Sequence, residues 1–165
     1  MKEIKITPEM LKRAEVKAKN LGKLKNSILD GKGNIFGCLG EEIVAKFLRV
    51  KTSNTYNYDL LKKKKRIEVK TKKCSSKPCD YYDCSVSAYN TRQECDYYVF
   101  VRVHENLEVG WILGAYPKED FFKNARFCKK GWVDKKAFNG WRFKSDCFNM
   151  SIKNLFPLDI LVSEV

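Results

Sequence analysis

The chain has 165 residues, 44% of them hydrophobic and 13% aromatic, enough apolar surface for one ordinary core and too much for a wholly disordered chain. Lys plus Arg number 33 against 20 Asp plus Glu, a formal net charge of +13 that points to a polyanionic partner, nucleic acid being the commonest. One histidine, His104, excludes sites built on several histidines, so any chemistry runs on carboxylates, lysines or thiols.

No apolar run approaches the roughly 18–20 residues of a membrane span, and the opening Met1–Pro8 has no signal-peptide apolar core. The seven cysteines are odd in number and lack paired scaffold spacing. These features lead us to expect an intracellular, cytoplasmic and mostly reduced protein with no membrane partner. Without repeats or a Pro/Ser-rich linker, residues 1–165 read as a single domain.

Thr7-Pro8-Glu9 opens the first predicted helix, with Thr7 as N-cap, Pro8 in the first helical position and Glu9 at the positive end of the dipole. The helix runs to about Leu21 and stops at Gly22. Residues 23–36 read as a loop broken by Gly31, Gly33 and Asn34; Gly31-Lys32-Gly33-Asn34 fits no phosphate-binding motif and reads as a turn. A second helix fits Gly37–Arg49, since 100° steps gather Phe36, Leu39, Ile43, Val44, Phe47 and Leu48 in one arc. Glu42 and Lys46 fall opposite, spaced to pair, while Glu41 sits at the arc's edge and points partly inward.

A short strand follows at Tyr56–Leu61, then Lys62-Lys63-Lys64-Lys65, then a strand at Arg66–Lys72. Residues 74–80 read as a loop. Strands are expected at Tyr82–Ala88, Tyr97–Val103 and Val109–Ala115, a short helix at Pro117–Ala125, and short strands and turns beyond. The order predicts a mixed α/β (α+β) fold, with no Rossmann-type alternation.

The strand Arg66–Lys72 alternates, so Glu68, Lys70 and Lys72 share one face. If residues 62–65 form a hairpin loop, Leu60 faces Ile67 and Asp59 faces Glu68. Opposed residues have Cβ atoms roughly 4.5–5.5 Å apart, so the two carboxylates repel unless a divalent cation lies between them. Lys70 stands beside that site, placed to orient or deprotonate a water and to stabilise developing negative charge. Glu41 offers a third carboxylate.

Asp59 followed by Glu68-Val69-Lys70 resembles the motif of the PD-(D/E)XK nuclease superfamily. The helix Gly37–Leu48, with Gly40-Glu41, resembles that superfamily's first core helix, and Cys95–Val101 looks like a core strand that follows. Residue 58 is Tyr, so the proline of the motif's name is absent. The resemblance covers roughly residues 37–125. It implies a central mixed β-sheet flanked by helices, a restriction-endonuclease-like core, and Mg²⁺- or Mn²⁺-dependent hydrolysis of nucleic-acid phosphodiesters. Asp59 and Glu68 would hold the metal, Lys70 would be the catalytic lysine, and Glu41 would assist metal or water. Double-strand cutters of this type are often homodimers, so a homodimer is possible here.

From Lys62 to Lys73 the chain carries eight Lys/Arg and one acid. Lys62, Lys63, Lys64, Lys65, Arg66, Lys72 and Lys73 are therefore candidate phosphate contacts. Lys12, Arg13, Lys17, Lys19, Lys23 and Lys25 form either a second contact wall or a plain surface. Cys74, Cys79, Cys84 and Cys95 lack common zinc spacing and read as free thiols. Gln93-x-x-x-Tyr97 echoes a motif of exonuclease-like nucleases that lies on a helix; here Tyr97 opens a strand, and the match reads as coincidence. Trp111, Trp132 and Trp141 read as core, and His104 has no assigned role. The expected function is a metal-dependent DNA nuclease. The alternatives are a non-catalytic nucleic-acid-binding module on the same fold, or a nuclease acting on RNA.

Overall fold

A computed structural model describes residues 1–21, 34–53 and 55–163. It is a mixed α/β fold of eight strands and four α-helices among the described residues. In chain order these are β1 (Lys2–Lys5), α1 (Pro8–Leu21), α2 (Asn34–Leu48), β2 (Leu60–Lys62), β3 (Lys65–Cys74), β4 (Asp83–Ser87), β5 (Tyr97–His104), β6 (Val109–Pro117), α3 (Lys118–Asn124), β7 (Arg126–Cys128), β8 (Cys147–Ser151) and α4 (Asp159–Val162).

Five strands form a mixed sheet in the order β1-β6-β5-β3-β2. Only β3 and β5 run parallel, Glu68 opposite Tyr98 and Lys70 opposite Phe100. A second, antiparallel sheet has the order β4-β8-β7. Period-2 alternation divides the core. Ile67, Val69, Val99, Val101 and Val103 pack towards α1 and α2 with Met10, Leu39, Ile43 and Leu48. Tyr98, Phe100, Trp111 and Leu113 point the other way, onto Cys84, Val86 and Met150 of the second sheet and Phe121 of α3.

The cap of α1 is made as the sequence implies: Met10 N donates to Thr7 Oγ1 at 3.3 Å. Gly22, Lys23, Lys25 and the turn at residues 31–33 lie outside the described residues. Asn34, Ile35 and Phe36, expected in a loop, form the first turn of α2. Helix α2 and strand β3 approach closely at Gly40, where an added Cβ would lie 1.9 Å from Thr71 Oγ1. β1 was not foreseen: a single apolar residue, Ile4, gives no periodic signal, and the strand is held at the sheet edge by backbone pairing to β6.

The β2–β3 hairpin has the expected register at Leu60 opposite Ile67 and Leu61 opposite Arg66, but strand pairing ends at Leu60: the expected Asp59–Glu68 pair is not formed, because Asp59 bonds Ile67 O and Val69 N instead. Its loop is tighter than four residues, because Lys62 pairs with Lys65. Lys63 and Lys64 both take positive φ, 46° and 66°, the geometry of a two-residue hairpin turn usually given to Asn-Gly.

Candidate active site

β2 starts only at Leu60 and covers β3 no further than Ile67. Beyond that point no described strand pairs with this edge of β3, and Asp59 fills the gap. Its backbone N–H donates to Ile67 O at 2.9 Å, and its Oδ2 accepts from Val69 N at 2.8 Å. Asp59 therefore sits at the sheet edge. Glu41 reaches this edge from α2 on one face, and Glu68 and Lys70 come from the other.

The three carboxylates lie close enough to disturb one another. Asp59 is held well above the usual Asp range, first by burial and then by the charges of Glu68 and Glu41, against the Val69 N–H bond and Lys70. Glu41 is also raised, by burial first and by Glu68 and Glu42, although Lys17 opposes the shift. The Lys17 ammonium pairs with Glu41 Oε2. Burial works against the Lys17 charge, but the hydrogen bond and charge of Glu41 prevail and raise it.

Glu68 is 6% exposed. Its Oε1 accepts from Lys70 Nζ at 2.8 Å and from Gln93 Nε2 at 2.7 Å, while Gln93 Oε1 accepts from Lys70 Nζ at 2.9 Å. The three side chains thus close a triangle of hydrogen bonds. Glu68 Oε2 is buried and has no partner, as is the hydroxyl of Tyr98, its opposite number on β5. A buried carboxylate oxygen without a donor is costly, and a cation is one of the few groups that would satisfy it among other acids. Asp59, Glu68 and Glu41 thus have the chemistry to hold Mg²⁺ or Mn²⁺. Among the described residues no three His, Cys, Asp or Glu side chains are already gathered at metal-holding spacing.

Gln93, whose place in the sequence suggests no role, belongs to the site. It lies on the irregular segment before β5, not on a helix. Its carbonyl is held by Lys118 Nζ and its Nε2 also reaches Tyr56 O at 3.4 Å. Tyr97 takes no part in the site, lying against Lys65 and the core on the α1–α2 side, so the Gln93–Tyr97 spacing carried no signal for Gln93. The reading of α2 also needs correction. Glu42 does not pair with Lys46 on an open face; it is 9% exposed and bonds Arg13 at 2.8 Å, because α1 covers that side.

The basic candidates divide. Lys62 Nζ donates to Leu48 O at the end of α2, Lys63 Nζ to Val162 O, and Lys65 Nζ to Ile160 O and Ser163 O. These lysines cap the carbonyl ends of α2 and α4, where positive charge is favoured. Arg66 is engaged by Asp96, Nη2 to Oδ1 at 2.8 Å and Nε to Oδ2 at 3.2 Å, which holds the Asp96 carboxyl below its usual range. Lys64, Lys72 and Lys73 make no ion pair among the described residues; Lys64 is exposed, Lys72 reaches solvent through a cleft that partly desolvates it, and Lys73 Nζ lies 5.8 Å from the Phe36 ring centre.

All seven cysteines are free; burial pushes Cys84 to about 12 and Cys95 to about 11. Trp111 is core, whereas Trp132 and Trp141 are 54% and 39% exposed, which corrects the reading of all three as core. His104 Nδ1 accepts from Asn106 N and its Nε2 meets Ser75 O at 3.0 Å, a loop-fixing role. No described helix is long and apolar enough to cross a membrane.

A comparison with protein-family models gives no match, and a comparison with curated proteins gives none either.

Proposed function

We propose that the chain is a divalent-metal-dependent nuclease that hydrolyses DNA phosphodiester bonds. The observation that carries this reading is the partnerless, buried Glu68 Oε2 beside two further carboxylates whose protons are held abnormally tightly. Asp59 and Glu68 would hold Mg²⁺ or Mn²⁺, with Glu41 in support. The cation would supply charge neutralisation at the phosphate and a more acidic water.

The chain's own residues do the positioning. An ammonium has three donors, and Lys70 Nζ uses two of them, on Glu68 and Gln93. The third is left to meet a phosphoryl oxygen or an attacking water and to stabilise negative charge as it grows. Gln93 fixes both Glu68 and Lys70, so neither has to be ordered when substrate arrives. Glu41 is steadied by Lys17 across α1 and α2.

The test is cleavage of linear, branched and single-stranded DNA, and of RNA, with and without Mg²⁺ or Mn²⁺. Cleavage should require the metal and disappear in Glu68→Ala and in Lys70→Ala, with the far-ultraviolet spectrum unchanged. Undiminished cleavage by a clean Glu68→Ala preparation refutes the assignment. One observation favours a second reading, a non-catalytic nucleic-acid-binding module: no three-ligand metal cluster stands assembled among the described residues. That reading gives salt-sensitive binding, no hydrolysis in any divalent metal, and affinity indifferent to Asp59→Asn.

A further inference from the structure

A cleft of about 600 Å³ separates the two sheets and begins at Lys70. Lys72 and Arg102 lie on its floor, from neighbouring positions on β3 and β5. Tyr81, Phe138 and Trp141 line its far side, on the chain before β4 and on the segment before β8. We propose that this cleft seats an unpaired polynucleotide strand, its phosphates against Lys72 and Arg102 and its bases against the exposed aromatic rings.

Charge is the first support. Lys72 and Arg102 face each other directly across the β3–β5 pair, and Lys72 makes no ion pair among the described residues. Arg102 is 8% exposed, donates among the described residues to a backbone carbonyl, Asp83 O at 3.0 Å, and lies 5.3 Å from the Tyr82 ring centre. Desolvation pushes both groups down; Arg102 pushes Lys72 down further, while Asp134 and Asp83 partly oppose the shift of Lys72 and Asp83 that of Arg102. Two adjoining cations that form no ion pair with a carboxylate among the described residues are unfavourable alone and favourable beside a phosphate chain. The acids within the cleft are spent elsewhere. Asp83 bonds Arg126 and Lys136, and Asp134 Oδ1 accepts from Lys136 N at 2.9 Å.

The aromatic side supplies the second support. Phe138 is fully exposed and Tyr81 is 57% exposed. Bare rings along a cationic groove are the pattern that takes unpaired bases, because every base offers a π-face and a duplex hides its own. A concavity of this size also suits a few nucleotides rather than a double helix, being of small-ligand dimensions, about 300–1,000 Å³. The strand's path ends at Lys70, so the inference rests on the nuclease reading for what becomes of the strand, and not for its binding.

Binding is therefore measured without metal, in EDTA, by anisotropy of a short labelled oligothymidylate, an oligouridylate of equal length and a matched DNA duplex. The single strand should bind at least about tenfold more tightly than the duplex, and the two single strands report which sugar is preferred. Phe138→Ala, at a fully solvated position, and Phe138→Ala/Trp141→Ala should each weaken single-strand binding by about fivefold or more per lost stack. Lys72→Ala should flatten the salt dependence by about 0.7 in slope. A tighter duplex, or aromatic variants that bind the single strand like the parent, overturns the inference. Strand binding intact with no hydrolysis in Mn²⁺ sinks the nuclease reading alone. Hydrolysis intact with single-strand affinity unmoved by the aromatic variants sinks only the inference about the cleft.

Discussion

Asp59→Asn should make the metal-free protein more stable, an unusual direction for a substitution in a half-buried site. Asn keeps an oxygen to accept from Val69 N, so the 2.8 Å bond that ties residue 59 to β3 survives. What is lost is a charge that burial, Glu68 and Glu41 all oppose. Couplings between neighbouring charged groups typically run about 0.5–3 kcal/mol, and two repulsive ones are removed against the attraction of Lys70 and Lys17. A net gain on the order of 1 kcal/mol follows, or about 2–4 °C in Tm for a chain of this size. Scanning fluorimetry in EDTA at neutral pH measures it. Excess Mn²⁺ should reverse the ranking: at a hundred times its Kd a ligand adds about 2.7 kcal/mol to the parent, and the variant should gain little. A variant clearly less stable than the parent in EDTA would show that the Asp59 charge is a structural asset, and the case for a cation site would fall with it.

The pH dependence carries the same signature. Asp59 and Glu41 have raised values when folded, so above about pH 4, the ordinary unfolded carboxyl range, the folded state holds the extra protons. Their contribution to stability is therefore lost as pH rises through the raised folded values, and metal-free thermal scans between about pH 5 and pH 8 should show it, less so in Asp59→Asn. Asp96, held low by Arg66, acts oppositely: its contribution is present above the unfolded value and disappears in acid, so Arg66→Ala should cost stability at neutral pH but little at about pH 2. Gly40→Ala should destabilise by about 1–3 kcal/mol in denaturant titration, since the new methyl meets Thr71 at the α2–β3 contact. Lys64→Gly should stabilise by about 1 kcal/mol, because φ of 66° suits glycine; an unchanged midpoint in urea would contradict the strain assigned to that turn. On the nuclease proposal, Gln93→Ala should lower kcat more than it changes KM and should shift the pH–rate profile, whereas a purely structural role would move only Tm.

Local chemistry was legible in the sequence wherever one segment decides its own structure. The Thr7-Pro8 start of α1, the alternation of β3 and the register of the β2–β3 hairpin follow from caps, period and turn length. Contacts made by distant segments were not. The inward place of Glu42 depends on α1 lying over α2, which no periodicity within α2 records. The lysine run looked like a phosphate surface because nothing near it announces that Lys63 and Lys65 meet carbonyls almost a hundred residues away. Gln93 joins Glu68 and Lys70 only after the chain has left β3, built β4 in the other sheet and returned. The separate second sheet, and with it the cleft, is likewise a product of tertiary packing.

That excursion sets an order of assembly. Asp59 and Glu68 are joined by a short hairpin, whose loop closes on a microsecond scale, while Glu68 and Gln93 are 25 residues apart and meet across a parallel strand pair, the slowest kind of contact to form. During refolding, the acidic pair is therefore created before the amide that braces it. Recovery of the Glu68–Lys70–Gln93 triangle should trail the return of secondary structure.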